Sequence, residues 1–273
     1  MTFDAFFLPA SSGQRFCLLH QPDAQMARRG AVVYVHPFAE EMNKSRRMAA
    51  LQAKAMAAAG YAVLQIDLHG CGDSSGDFCD ASWESWVGDV TLACDWLQQR
   101  YDSDLWLWGL RTGCLLACEA AARIKTSSQL LLWQPVLSGK QFLQQFLRLK
   151  IASEMLGGDS KGLMDRLREH LARGESVEIA GYQLSSEMAE GLEKAELALP
   201  DQLKRIEWFE LSGKPDGSLS PSASMRIEKW QSAGGKVRGV PVYGPAFWQT
   251  AEIAECTALI DASLLAMSGL ESA

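Results

Sequence analysis

Apolar positions along this chain follow two rhythms, and the switches between them mark out the elements. Two short β-rich runs open the sequence, "FDAFFLP" (3–9) and "QRFCLLHQP" (14–22). The turn-forming "ASSG" between them predicts an antiparallel hairpin. Ala31 to Val35 is uninterruptedly apolar, as expected of a strand covered on both faces. The next stretch predicts a helix over about 43–59 that stops at Gly60, a good C-cap residue. "YAVLQI" (61–66) reads as a strand and runs into the glycine-rich "DLHGCGDSSGD". Trp83, Trp86, Val87, Val90, Ala93, Trp96 and Leu97 then recur at helical spacing.

A strand-like run, Leu105 to Trp108, leads through "GLRTG" (109–113) into a helical pattern, and "QLLLWQPV" (129–136) is a further buried strand. Uniformly apolar strands alternating with helices imply an α/β fold with a mostly parallel sheet and helices on both faces. The rhythm breaks over 138–204. "KQFLQQFLRLKIASEML" and "SKGLMDRLREHLARG" are amphipathic, and a short extended segment precedes a helix capped at Ser185 or Ser186. This stretch reads as an inserted lid, so that 1–137 and 205–273 form the core and 138–204 the cap. Beyond it the pattern resumes: a strand at 205–211, a helix near 221–233, a strand within 235–244, and a last helix near 250–267. No internal repeat is present.

Composition narrows the function classes. The chain has 273 residues, 48% apolar and 22% charged, which suits one large globular domain or a core with an insertion. A net charge of −7 argues against nucleic-acid binding. No run approaches the roughly 18 apolar residues of a bilayer span, and the N-terminus lacks the basic and apolar regions of a signal peptide. The seven cysteines form no C-x-x-C pair, which fits buried, reduced thiols in the cytoplasm. Neither a metal nor a cofactor is implied.

Four landmarks carry chemistry. "HPF" (36–38) ends a buried strand. "DLHGCGDSSG" (67–76) is a glycine-rich loop after the next strand. "GLRTG" has the layout of the nucleophile elbow G-x-S-x-G, a sharp turn between strand and helix. "GKPDGSLSP" (213–221) follows the penultimate core strand, with Asp216 where an acid would stand. In this order and spacing, the landmarks resemble those of the α/β-hydrolase family over nearly the whole chain. The resemblance implies that His36–Phe38 lie in the loop giving one oxyanion-hole N–H, Thr112 gives the second, and Arg111 stands in the nucleophile position.

A Ser-His-Asp triad needs a nucleophile, a base within hydrogen-bond reach and an orienting acid. Arg111 cannot serve as the nucleophile, because a guanidinium is not deprotonated in proteins. The base should follow the last core strand, yet all four histidines (His20, His36, His69, His170) precede residue 171. Phe247 and Trp248 stand there instead, and of the three degenerate triad positions, Arg111, Asp216 and Trp248, only Asp216 keeps its residue type. Among substitutes, Thr112 should point away from the pocket, Cys114 should pack against the sheet, and His69 and Asp73 should support the glycine loop.

An arginine at a helix N-terminus opposes the helix dipole and calls for a compensating anion. Glu40, Glu41 or Asp216 could supply it in a salt bridge that closes the old active site. Alternatively, Arg111, the Phe38 and Thr112 N–H groups and the dipole could hold a ligand's carboxylate or phosphate. His36, Glu40, Glu41, Phe247 and Trp248 complete the candidate ligand-binding set, and Lys44, Arg46 or Arg47 could orient an anion at its mouth. Trp83, Trp86 and Trp133 read as core.

The strings "VHPFAEEMNKSRRM", "LWGLRTG", "EIAGYQLS" and "GPAFWQT" are similar to the type 2 hydrolase-like proteins associated with exosortase A systems. That resemblance implies a cytoplasmic α/β-hydrolase homologue acting around exopolysaccharide production. The ligand expected is a small anionic, acyl or carbohydrate-linked molecule, or else a protein partner or a second copy of the chain. An atypical ester or acyl hydrolase with non-standard catalytic residues is the competing expectation.

Overall fold

The computed structural model describes residues 3–22, 24–155, 162–200 and 203–269. Eight strands form one sheet: β1 (Phe3–Pro9), β2 (Gln14–His20), β3 (Gly30–Val35), β4 (Tyr61–Ile66), β5 (Leu105–Leu110), β6 (Ser128–Trp133), β9 (Leu203–Ser212) and β10 (Val237–Tyr243), with β7 (Val177–Ile179) and β8 (Tyr182–Leu184) lying outside it. Their order is β1-β2-β4-β3-β5-β6-β9-β10. The β1–β2 and β2–β4 pairs are antiparallel, and every pair from β4 to β10 is parallel. This is the α/β-hydrolase fold.

The buried strands send alternate side chains into two cores, as a period of two requires. Ala31, Val33, Val35, Leu105 and Leu107 join α2 (Trp83–Arg100), α3 (Gly113–Arg123) and α7 (Pro221–Ser232) on one face. Val32, Tyr34, Trp106, Trp108 and Leu110 join α1 (Glu40–Ala58) and α8 (Thr257–Met267) on the other. An uninterrupted apolar strand is therefore one that supplies both cores.

Three boundaries differ from the sequence expectation by three residues or more. The first helix begins at Glu40, three residues before the expected start, because Ala39 takes a positive φ of 50° and turns the chain directly into it. The strand expected to reach residue 136 stops at Trp133, where Gln134 also takes a positive φ of 46°. The last helix starts at Thr257, not near 250. Thr250 Oγ1 instead donates to the Phe247 and Glu252 carbonyls and holds a turn.

Residues between β6 and β9 leave the sheet and return to its next strand without interrupting it. They form α4 (Gly139–Met155), α5 (Leu163–Ala172), a hairpin of β7 (Val177–Ile179) and β8 (Tyr182–Leu184), and α6 (Ser186–Lys194). Ser185 caps α6 by accepting from the Met188 N–H. The expected single extended segment is in fact a hairpin. Its two-residue turn is Ala180-Gly181, both with positive φ, the conformation that tight hairpins favour. No helix among the described residues is long and apolar enough to cross a membrane.

Candidate functional site

The chain runs from β3 to β4 on one side and later to β5 on the other, so the sheet order reverses beside β3. Ligand sites of open α/β sheets lie outside the carboxyl ends of strands at such a switch point. Here those ends carry Phe38 and Arg111.

The "GLRTG" turn is built by close approach. A Cβ on Gly109 would lie 2.7 Å from Cys114 Cα, because α3 folds back over the strand. A Cβ on Gly113 would lie 2.2 Å from the Val35 carbonyl, because the start of α3 abuts the end of β3. Arg111 at the tip takes φ 56°. Its N–H donates to the Trp133 carbonyl, and its own carbonyl accepts from Cys114 and Val136. Ala39, Arg111 and Gln134 thus place three positive-φ non-glycine residues just beyond the adjacent strands β3, β5 and β6. Such conformations cost about 1–3 kcal/mol each and cluster at functional sites.

Arg111 pairs with Glu41 of α1. Nε lies 3.3 Å from both carboxylate oxygens, and Nη2 lies 3.2 Å from Oε1. The two side chains keep 19% and 20% of their exposure. The guanidinium carbon lies 5.4 Å from the centre of the Trp248 ring, in cation–π range. Burial pushes the Glu41 carboxyl above its usual range, and the charge of Arg111 offsets part of that push. Among the described residues, neither the Phe38 nor the Thr112 N–H donates a backbone hydrogen bond. Thr112 is buried and its hydroxyl has no partner.

Other expected site residues are committed elsewhere. Asp216 is exposed and makes no hydrogen bond or ion pair among the described residues, so it does not compensate Arg111. The buried acid near that loop is Glu210 of β9, which accepts from the Ser220 N–H and hydroxyl. His36 is corrected from ligand contact to framework: Nδ1 lies 2.8 Å from the Pro37 carbonyl, and Nε2 accepts from the Leu68 N–H. Burial lowers its pKa and keeps the ring neutral. Phe247 is likewise corrected. It is fully buried, with Trp133 and Trp248 against it, and has no surface for a ligand. The Phe38 ring is enclosed by Phe78, Trp86, Phe142 and Phe146, so its backbone N–H is what it can offer.

Arg46 pairs with Asp67 and Arg47 with Glu255, and both arginine side chains stay about half exposed. Glu40 accepts from Asn43 and from the Tyr182 hydroxyl of the β7–β8 hairpin. Cys114 is buried, its thiol pushed well up by burial, and it lies 3.6 Å from the Trp133 carbonyl. In the glycine loop, Asp67 accepts from the Asp73 N–H, and its carbonyl accepts from the Ser74 hydroxyl. The His69 N–H donates to Asp89, which also pairs with the buried Arg15 at 2.7 Å. These groups hold the loop in shape.

Sequence reasoning missed the clamp that the insertion places on this region. Phe142 and Phe146 of α4 cover Phe38, and Tyr182 reaches Glu40, one residue from Glu41. The Ala-Gly step at 180–181 was the local signal for the hairpin. None of the four main cavities among the described residues includes Arg111, Glu41, Thr112 or Trp248. The largest, about 680 Å³, lies between α2, α3 and α6.

A family model described as serine aminopeptidase, S33, matches residues 26–189, more than half of the chain. No curated protein sequence matches. Among solved structures, Est1E from Butyrivibrio proteoclasticus superposes with a TM-score of 0.65 at 13% identity, covering 97% of each chain. XC6422 from Xanthomonas campestris, an α/β serine hydrolase without lid, gives 0.58 at 15% identity over 97% of this chain and 93% of its own. A thermostable carboxyl esterase from Bacillus coagulans gives 0.61 at 16% identity over 89% and 91%. At these identities the likeness is one of fold.

Proposed function

Taking as premise that the chain belongs to the serine aminopeptidase S33 family, we propose that it is a non-hydrolytic member that binds a ligand instead of cleaving one. The observation that carries this reading is the Arg111–Glu41 pair at the elbow tip, packed on Trp248 where a base would stand. A guanidinium in the nucleophile position has no lone pair to offer, and its partner is a carboxylate, not an imidazole. Loss of a triad nucleophile or base costs on the order of 10⁶ in turnover. The ligand is small and anionic, or acyl- or carbohydrate-linked, with a protein partner as the other candidate. The insertion over 138–204 serves as its lid. The resemblance to exosortase-associated proteins supports a role around exopolysaccharide production, in the cytoplasm. The free cysteine thiols, six of them buried, suit a reducing compartment.

The test is covalent labelling with a fluorophosphonate and turnover of p-nitrophenyl butyrate. No labelling and no turnover above buffer are expected, from the unmodified protein or from Arg111→Ser, which restores a serine without a base. Labelling at a single residue, or strong esterase activity in R111S, would return the protein to the hydrolases.

A further inference from the structure

The ion pair that closes the elbow also describes what can open it. Arg111 is held by three contacts of 3.2–3.3 Å. Charge-assisted N–H···O bonds settle at about 2.7–2.9 Å when their geometry is free to do so. Both partners retain about a fifth of their exposure, so water reaches the pair. Glu41 lies in the first turn of α1, where the helix dipole favours a carboxylate even when it swings outward. Next to Arg111 in the chain, the Thr112 N–H donates no backbone hydrogen bond and the buried Thr112 hydroxyl has no partner among the described residues, and the Phe38 N–H beyond the adjacent strand β3 is likewise without a backbone acceptor. Three strained residues hold the adjacent strand exits in place although no nucleophile remains for them to present.

We propose that Arg111 is a carboxylate receptor, that Glu41 occupies it as an internal stand-in, and that a small organic monocarboxylate binds by displacing Glu41. This rests on the elbow being a binding site and not a hydrolytic one. The exchange is isoelectric: one carboxylate leaves as another arrives, and Arg111 is never left buried without a counter-charge. A phosphate dianion would bring a second charge to a place where Glu40 and Glu41 are already negative neighbours; on α1, Arg46 and Arg47 have Asp67 and Glu255 as partners, which leaves Lys44 to offset it. The Trp248 ring, 5.4 Å from the Arg111 guanidinium carbon, gives the carboxylate's carbon chain an apolar neighbour. The β7–β8 hairpin stands over this side of α1, its Tyr182 donating to Glu40 next to Glu41.

An internal competitor lowers apparent affinity by the fraction of molecules in which the receptor is free. Glu41→Gln keeps the shape and removes the charge. Butyrate binding is measured by calorimetry and by the Trp248 contribution to fluorescence, obtained by difference against Trp248→Phe. E41Q is expected to bind butyrate with about tenfold lower Kd than the unmodified protein. Arg111→Gln is expected to lose binding, and Arg111→Lys, which keeps the charge without the fork, covers the case in which R111Q does not fold and should weaken binding about tenfold. Equal butyrate affinity in E41Q and the unmodified protein overturns the proposal, as does undiminished binding in R111Q or R111K, or phosphate competing as well as butyrate. Fluorophosphonate labelling of the same preparations separates the two levels. Labelling sinks the non-hydrolytic reading beneath the proposal, whereas no labelling with no gain in E41Q sinks the carboxylate receptor alone.

Discussion

Two arginine–carboxylate pairs sit on opposite sides of the sheet's carboxyl edge and do different work. Arg15 and Asp89 meet at 2.7 Å with 1% and 5% of their side chains exposed. The Arg15 guanidinium also donates to the Ser12 carbonyl, and Asp89 also accepts from the His69 N–H. Arg111 and Glu41 meet at 3.2 Å with 19% and 20% exposed, and no other hydrogen bond holds either side chain among the described residues. The first pair is part of the frame that shapes the glycine loop. The second is partly exposed, and the proposal is that its partner can be exchanged. Burial and the number of supporting bonds, more than the presence of a salt bridge, set the two pairs apart.

The comparison breaks most easily at its stronger end. Asp89→Ala leaves the Arg15 charge buried alone and should cost about 3–5 kcal/mol, read from the denaturant midpoint. Glu41→Gln should cost about 1 kcal/mol or less, because its site already admits water. Equal losses from the two substitutions would erase the distinction.

The smallest effect is a slope. Burial lowers the His36 pKa from its ordinary 6.5, so the unfolded chain takes up this proton at a higher pH than the folded one. Its contribution to stability is therefore present above pH 6.5 and is lost as pH falls below it. Glu41 works in the opposite sense: its raised carboxyl binds a proton more readily when folded, so its contribution falls as pH rises from 4.5 through the folded value. Urea titrations from pH 7.5 to 5.5 should show falling stability with a shallower slope in His36→Gln, and an unchanged slope there would remove His36 from the account.

Much of the fold was legible because buried strands and amphipathic helices are period statements. "GAVVYV" and "LWLWGL" could only be strands covered on both faces, and both supply two cores. Boundaries were less legible where the chain uses a positive φ on a non-glycine residue. Ala39 starts α1 early and Gln134 ends β6 early, with no residue type to announce either. The helix expected near 250 failed for a related reason, because side-chain bonds from Thr250 favour a turn that apolar spacing does not register. The β7–β8 hairpin was signalled only by Ala180-Gly181.

The candidate site divides in the same way. By itself the sequence determined that the elbow carries arginine and that no histidine follows residue 170, because residue identity and chain order need no coordinates. Only the tertiary structure decided which acid meets that arginine. Glu40, Glu41 and Asp216 are equivalent as carboxylates, but the early start of α1 aims Glu41 at Arg111, turns Glu40 toward Tyr182 and leaves Asp216 in solvent. Partner choice depends on where three separate chain segments converge, and local pattern holds no information about that convergence.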